Sequence, residues 1–366
     1  MKRLLVCGIL GMLLFPLIAQ ETYHDDFSII PFYNPGKKRA KYYRLTEPQG
    51  EGTSVKQYYK SNKQLAGEGI TVPSIGLEGQ DVQVKHGEWK YFHENGNTAF
   101  IISYEKGEPI DTARQWHADG KLALVGIFEE GLPFEPSFKF FDAWDEKGQP
   151  LIINGEGEIT MKGHIYPDPN YLFKDYPVLS GKIADGRAEG VWTFVIENDI
   201  INAESEYVKG KYDGVQKIYR EDGSLSQKGH YEKGYSVGIW ECLNYDGSVY
   251  FSQDFGKLSD REPDLPRMEA YTLYDEKPEP LNLNKVRKAI RYPYIARKKR
   301  IEGVVIIAIL VDRDGNPVNA RVIREAHPVL AKAVTEQIFS LRFDPAERGG
   351  EPIGAWTSIP FYLGME

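Results

Sequence analysis

His93 and His117 stand 24 residues apart, and two imidazoles side by side could begin a metal site. Such a site needs further nitrogen, sulfur or carboxylate ligands close at hand. None accompanies this pair, so polar strand ends are the expected role and no metal is expected. Glu105, Glu129 and Glu232 recur by a sequence interval, whereas acid/base catalysis needs two groups that converge on one reacting atom. Cys242 is the only cysteine left if the N-terminal segment holding Cys7 is removed, which excludes an intrachain disulfide. A half-buried strand position is expected for it. Gly-x-Ser-x-Gly, phosphate-loop and zinc motifs are all absent from the chain. The sequence therefore predicts a protein that is not an enzyme and carries no cofactor. A net charge of −8 argues against nucleic-acid binding. The charge is uneven: 14 basic and 9 acidic side chains from Lys285 onward make that part +5 and the remainder −13.

The histidine interval belongs to a repeat. Gly190-x-Trp192, Gly214-x-Gln216 and Gly238-x-Trp240 follow one another at 24 residues, and Gly87-x-Trp89 is a further copy. Tyr104-Glu-Lys-Gly107, Phe128-Glu-Glu-Gly131, Tyr207-Val-Lys-Gly210 and Tyr231-Glu-Lys-Gly234 mark the far end of each unit. Tyr104 to Phe128, Tyr207 to Tyr231 and Tyr231 to Phe255 are each 24 residues. A fixed period in this range marks stacked supersecondary units. Asn95-Gly96, Asp119-Gly120, Asp222-Gly223 and Asp246-Gly247 are turn signals, so each unit reads as a β-hairpin. One hairpin alone is marginal in water, and stacking buries its aromatic face on the next. The period lapses between Phe134 and Asp185, and Ile152 to Tyr171 carries extra residues, so an irregular hairpin or inserted loop is expected there.

Beyond the array, Pro263, Pro266, Pro278 and Pro280 mark a linker over residues 259–283. Asn284 is placed to cap a short helix from Lys285 to Arg291. Tyr292 precedes Pro293, which disfavours helix there and divides the segment in two. Val304 to Val311 is continuously apolar and reads as a central strand covered on both faces. Asp314-Gly315 turns the chain into a second strand, Val318 to Arg324. Pro328 opens a helix with Leu330, Val334, Ile338 and Leu341 on one face. In the last strand Ile353, Ala355, Thr357, Ile359 and Phe361 face one way, and Trp356, Ser358 and Tyr362 the other. A right-handed crossover puts this strand on the other side of Val304 to Val311.

This tail resembles the TonB C-terminal domain family. The matching residues are Tyr292-Pro293-x-x-Ala296, Ile301-Glu302-Gly303, Asp314-Gly315, His327-Pro328-x-Leu330 and Arg342-Phe343-Asp344-Pro345. The resemblance implies a periplasmic location in a Gram-negative envelope. It also implies binding of an extended segment, the TonB box, of an outer-membrane TonB-dependent transporter, and a link to inner-membrane motor proteins. The family's box-binding role falls here on Gly354, Ala355, Trp356, Thr357, Ser358 and Ile359. Tyr292, Pro293, Ala296, Ile301, Glu302, Gly303, Asp314, Gly315, Pro328, Phe343 and Pro345 are the motif positions, read as structural. The preceding repeats look like a MORN-type array in its bacterial variant form.

At the N-terminus Lys2-Arg3 precedes an apolar run from Leu4 to Ala19. Its length suits a signal segment better than a membrane span of ~20 residues. Residues 1–20 are thus expected to be a signal peptide, with a short membrane anchor through residues 4–19 as the alternative. Residues 21–54, broken by Pro31, Pro35, Pro48, Gly50 and Gly52, read as an irregular connection. The expected fold is mainly β with a small α+β C-terminal domain. An elongated array of antiparallel β-hairpins over residues 55–258 leads, through the linker, to a helix–strand–strand–helix–strand domain over residues 284–366 with a three-stranded sheet. Two functions are compatible with this plan. One is a periplasmic TonB-like protein that supports transport across the envelope. The other is a secreted or envelope scaffold that binds partners through its repeats without transducing energy. The apolar segment holds no histidine and the chain no long Pro-rich tether, two departures from what the resemblance to an energy transducer of this family implies.

Overall fold

A computed structural model describes residues 20–24, 40–75, 81–132, 135–162, 178–195, 201–260 and 276–364. The expected signal segment, the middle of the linker and most of the aperiodic stretch after Lys162 lie outside these residues. Among the described residues eighteen strands form one antiparallel sheet in which each pairs with the next in sequence. They are β1 (Gln20–His24), β2 (Tyr42–Gln49), β3 (Gly52–Tyr59), β4 (Leu65–Ile75), β5 (Asp81–Phe92) and β6 (Thr98–Glu105). There follow β7 (Glu108–Trp116), β8 (Leu122–Leu132), β9 (Glu135–Trp144), β10 (Pro150–Ile153), β11 (Glu156–Lys162) and β12 (Val178–Ala184). The last six are β13 (Arg187–Val195), β14 (Ile201–Val208), β15 (Lys211–Tyr219), β16 (Leu225–Glu232), β17 (Tyr235–Leu243) and β18 (Val249–Asp254).

The array starts earlier than the sequence suggested. Pro48, Gly50 and Gly52 read as breakers of a connection, yet they frame the tight turn of the β2–β3 hairpin, with Gly50 at φ 61°. Tyr42 and Tyr59 are buried across that hairpin with ring centroids 5.4 Å apart.

Local chemistry explains the meander. Lys106-Gly107, Lys209-Gly210 and Lys233-Gly234 have positive φ at both residues, as a two-residue type I′ turn requires. Each of these glycines also donates its N–H to a carbonyl of an earlier strand, Lys85, Ala188 and Tyr212 respectively, which pins one unit to the last. The core follows a second device. Trp89, Trp192 and Trp240 lie flat on Gly69, Gly181 and Gly229 of the preceding strand, where a Cβ would meet the indole at 2.0–2.3 Å. Each indole Nε1 donates to the carbonyl just after that glycine, on Ile70, Lys182 and His230 at 3.0, 3.1 and 3.2 Å. Large ring and absent side chain are thus complementary, and the indole's polar edge is satisfied.

The tail comprises β19 (Glu279–Pro280), α1 (Leu283–Ala289), α2 (Tyr294–Lys299), β20 (Gly303–Val311), β21 (Pro317–Glu325) and α3 (Pro328–Thr335). It continues with β22 (Phe343–Asp344), β23 (Ala346–Arg348), β24 (Glu351–Ile353) and β25 (Ala355–Leu363). β20 is central, between β21 and β25, and antiparallel to both. Val305, Ile307, Ile309 and Val311 point to one side, where Leu330, Ala331 and Val334 of α3 complete the core with Ile338, Leu341 and Phe361.

Three boundaries differ from the sequence reading. Residues 276–280, expected in the linker, belong to the tail, since Glu276 bridges Glu347 and β19 pairs with β22. Asn284 lies inside α1. The N-cap is Asn282, whose side chain instead ties Ser340 and Arg342 to the helix start. The helix from Pro328 stops at Thr335, so Ile338 sits in a separate 3₁₀ turn, still fully buried.

Candidate functional site

The last strand carries the residues expected to bind a partner. Gly354 precedes β25 and is buried, as are Ala355 and Ile359. Trp356 and Thr357 are half-buried, and Ser358 is exposed. β25 pairs with β20 through nine residue pairs without a register shift, from Gly303–Leu363 to Val311–Ala355. Among the described residues no strand pairs with its other side. Arg287 of α1 donates to the Pro360 carbonyl at 3.3 Å from that outer side. The bonding direction of a strand alternates with each residue, so Ser358 and Trp356 also turn their backbone groups outward. Pro360, which has no N–H, sits where proline costs the ladder nothing. The far end of the edge opens on a groove lined by Arg287, Ile290, Tyr292, Arg297, Tyr362 and Gly364.

Most of the motif residues sit at caps, turns and core positions of the tail. Pro293 is the N-cap of α2, Ala296 is fully buried, and the Tyr292 hydroxyl donates to the Ile301 carbonyl at 2.5 Å. Glu302 is exposed, whereas a Cβ on Gly303 would meet Ala326 at 2.3 Å. The Asp312 carboxylate accepts from the N–H groups of Asp314 and Asn316, and Gly315 has φ 78° with its carbonyl bonded to Phe343 N. Pro328 opens α3 behind His327, whose Nδ1 accepts from Val329 N at 3.1 Å. Phe343 is buried and Pro345 is half-buried between the short strands.

The histidines, glutamates and cysteine singled out in the sequence lie at separate places in the fold. The His93 and His117 rings each bond a backbone carbonyl, Trp116 O at 2.8 Å and Trp144 O at 2.9 Å. Among the described residues no cluster of three or more His, Cys, Asp or Glu could hold a metal ion. Glu105 and Glu232 are exposed, and Glu129 pairs with Arg187. Cys242 is buried, and burial pushes its thiol up to about 12, with the Glu325 carboxylate adding to the rise.

One group of residues went unread in the sequence. Arg321 and Glu325 of β21, which looked like ordinary strand residues, reach the array. The Glu325 carboxylate accepts from Arg220 Nε at 2.8 Å, Ser226 Oγ at 3.0 Å and the Tyr250 hydroxyl. The Arg321 guanidinium donates to the Tyr231 hydroxyl at 2.7 Å and to Gln216 Oε1 at 2.9 Å. Gln227 Nε2 donates to the Val322 carbonyl, on the outer edge of β21, at 2.8 Å. The signal that could have disclosed them is Gln216, the only polar residue aligned with the tryptophans of the Gly-x-Trp series.

Of the two sheet edges, then, β21 is hydrogen-bonded by the array, whereas β25 has no second strand beside it among the described residues and touches the array through the Trp356 ring. Residues 288–363 match the family model of the Gram-negative bacterial TonB protein C-terminal. The chain carries a TonB-type tail. The MORN repeat variant matches at residues 85–106 and 212–233, which are β5–β6 and β15–β16 with their turns. No curated protein matches the chain. The TonB-type tail points to a protein of the Gram-negative envelope and, in general terms, to outer-membrane transporters as partners. No helix among the described residues is long and apolar enough to cross a membrane.

Proposed function

We propose that this chain is a periplasmic TonB-like protein whose tail binds an extended segment of an outer-membrane transporter along the outer edge of β25, in support of transport across the envelope. One observation carries the reading. The array occupies the β21 edge through Gln227, while no strand among the described residues pairs with β25 from outside. An unpaired edge offers N–H and C=O groups that an added strand satisfies by β-augmentation. The segment would run along Gly354 to Ile359, with Ser358 supplying outward backbone groups. The role is one of binding, not catalysis. Export by residues 1–20 would place the protein where such segments are found. The test is an amide-shift titration of the full chain with a synthetic transporter segment. Shifts along 354–359 are expected, and shifts on Val318–Arg324, or none in the tail, would sink the assignment.

A second reading has its own observation. Val191, Val215 and Ile239, the middle residues of three Gly-x-Trp or Gly-x-Gln triplets, are 54%, 37% and 62% exposed. They make a periodic apolar row on the outer face of β13, β15 and β17, suited to a scaffold that binds an envelope partner through its repeats without transducing energy. Replacing all three by serine distinguishes the readings, since it would abolish partner capture in the second and leave segment binding intact in the first.

A further inference from the structure

The repeat varies at one place in a way that the tail explains. At the ring position the units carry Trp89, Trp192 and Trp240, and at the facing position Gly69, Gly181 and Gly229. The unit between Trp192 and Trp240 departs at both positions together: Gln216 replaces the ring and Ser205 the glycine. Both are buried, and Gln216 Nε2 donates to Ser205 Oγ at 2.8 Å. A Ser–Gln pair fills less space than an indole and leaves an amide oxygen directed outward. Arg321 takes that oxygen. Its guanidinium carbon lies 3.7 Å from the Trp240 ring centroid and 5.7 Å from that of Tyr231, and it is 6% exposed. Planar stacking with in-plane donors suits a guanidinium better than an ammonium. Trp356 packs against the same Tyr231, Trp240 and Phe255 cluster. Beside it, Arg220 and Glu325 form an ion pair with side chains 10% and 6% exposed, and Arg220 also donates to the Leu225 carbonyl at 2.9 Å.

We propose that the Ser205–Gln216 unit, with Tyr231 and Trp240, is a built-in guanidinium receptor that clamps the C-terminal domain to the end of the array. The partner it fits is Arg321 of the same chain, with Glu325 on Arg220 as the second point of attachment. The array and tail are then a single mounted unit, and the tail's orientation is fixed by contact, not by the linker. This holds whatever the β25 edge binds, so it neither rests on the transporter reading nor falls with it. The attachment is buried and charge-assisted, and a surface ion pair's sensitivity to salt is not expected of it.

The test cuts the linker in the folded protein. A specific protease site is placed between Asp260 and Glu276 of the full chain, the purified protein is cleaved, and the pieces are followed by size-exclusion chromatography and by titration of one against the other. The clamp predicts co-elution at micromolar concentration, persisting in 0.5 M NaCl. Two changes address the receptor from opposite sides. Arg321→Ala removes the guest. Ser205→Gly with Gln216→Trp restores the ring-on-glycine pair found in the neighbouring units, so the array keeps its packing while the receptor is filled. Each is expected to weaken association of the pieces by about 100-fold or more, as removal of a buried, hydrogen-bonded charge contact does. Near-ultraviolet circular dichroism of each variant, recorded before cleavage, reports the array's packing. Separation of the unaltered pieces overturns the clamp, and tight association in the double variant Ser205→Gly with Gln216→Trp overturns the assigned receptor.

Discussion

At the residue scale, ring-on-glycine packing makes sharp demands. Trp192 and Trp240 are buried, so Trp192→Ala and Trp240→Ala should each cost about 3–5 kcal/mol in urea unfolding. The reverse change is equally informative. A Cβ on Gly229 would meet the Trp240 indole at 2.0–2.5 Å, so Gly229→Ala is expected to destabilise by about 1–3 kcal/mol through overpacking. An unchanged unfolding midpoint in Gly229→Ala would mean that the ring does not lie on the glycine. Cys242 gives a prediction with a definite sign. Its thiol is raised by burial from 9.0 to about 12. The folded state therefore holds the proton more tightly, and this contribution is fully present below pH ~9 and is lost as pH rises towards 12. Stability should fall over that interval, and less steeply in Cys242→Ala. At pH 8 the thiol should resist iodoacetamide until the protein unfolds, as peptide mass spectrometry of the Cys242 segment would report.

At the scale of elements, the edge strand offers a selective test. Backbone groups of Ser358 point outward and those of Thr357 towards β20, on the alternation set by Arg287 and Pro360. Ser358→Pro should leave the tail folded and abolish segment binding, whereas Thr357→Pro should break the β20 ladder and unfold it. Equal effects in circular dichroism would contradict that alternation. Much of this element-level plan was legible in the sequence. Gly-x-Trp spacing gave the hairpins, and the apolar run from Val304 gave a central strand, because turn chemistry and burial on both faces leave local marks. The β2–β3 hairpin was missed because Pro48, Gly50 and Gly52 serve equally well in a loop and in a tight turn. Arg321 and Glu325 were missed for a different reason. Their partners lie about 75–105 residues away in sequence, and a charged residue on a strand carries no mark of what it will meet. Gln216 did carry a mark, as a lapse from the repeat, but its meaning required the tail's position.

At the scale of the whole molecule, a meander couples each strand chiefly to its neighbours, so a perturbation at one end should decay along the array. Among the described residues the tail is hydrogen-bonded near the C-terminal end of the array, with Arg220, Ser226, Gln227 and Tyr250 among its partners. Glu325→Ala removes the carboxylate shared by Arg220, Ser226 and Tyr250 and leaves the Arg220 guanidinium buried beside Tyr245, whose ring centroid is 4.6 Å away. Losing one member of a buried pair typically costs about 3–5 kcal/mol, because the remaining charge is uncompensated. That cost should fall on the units that hold Arg220 and on the tail together. Native-state hydrogen exchange is therefore expected to accelerate in β15–β18 and in β20–β21, while the β3–β6 amides exchange as before. Acceleration confined to the tail would show that the docking contact contributes nothing to the array, and uniform acceleration through β3–β6 would show that the array unfolds as one body and not by neighbouring units.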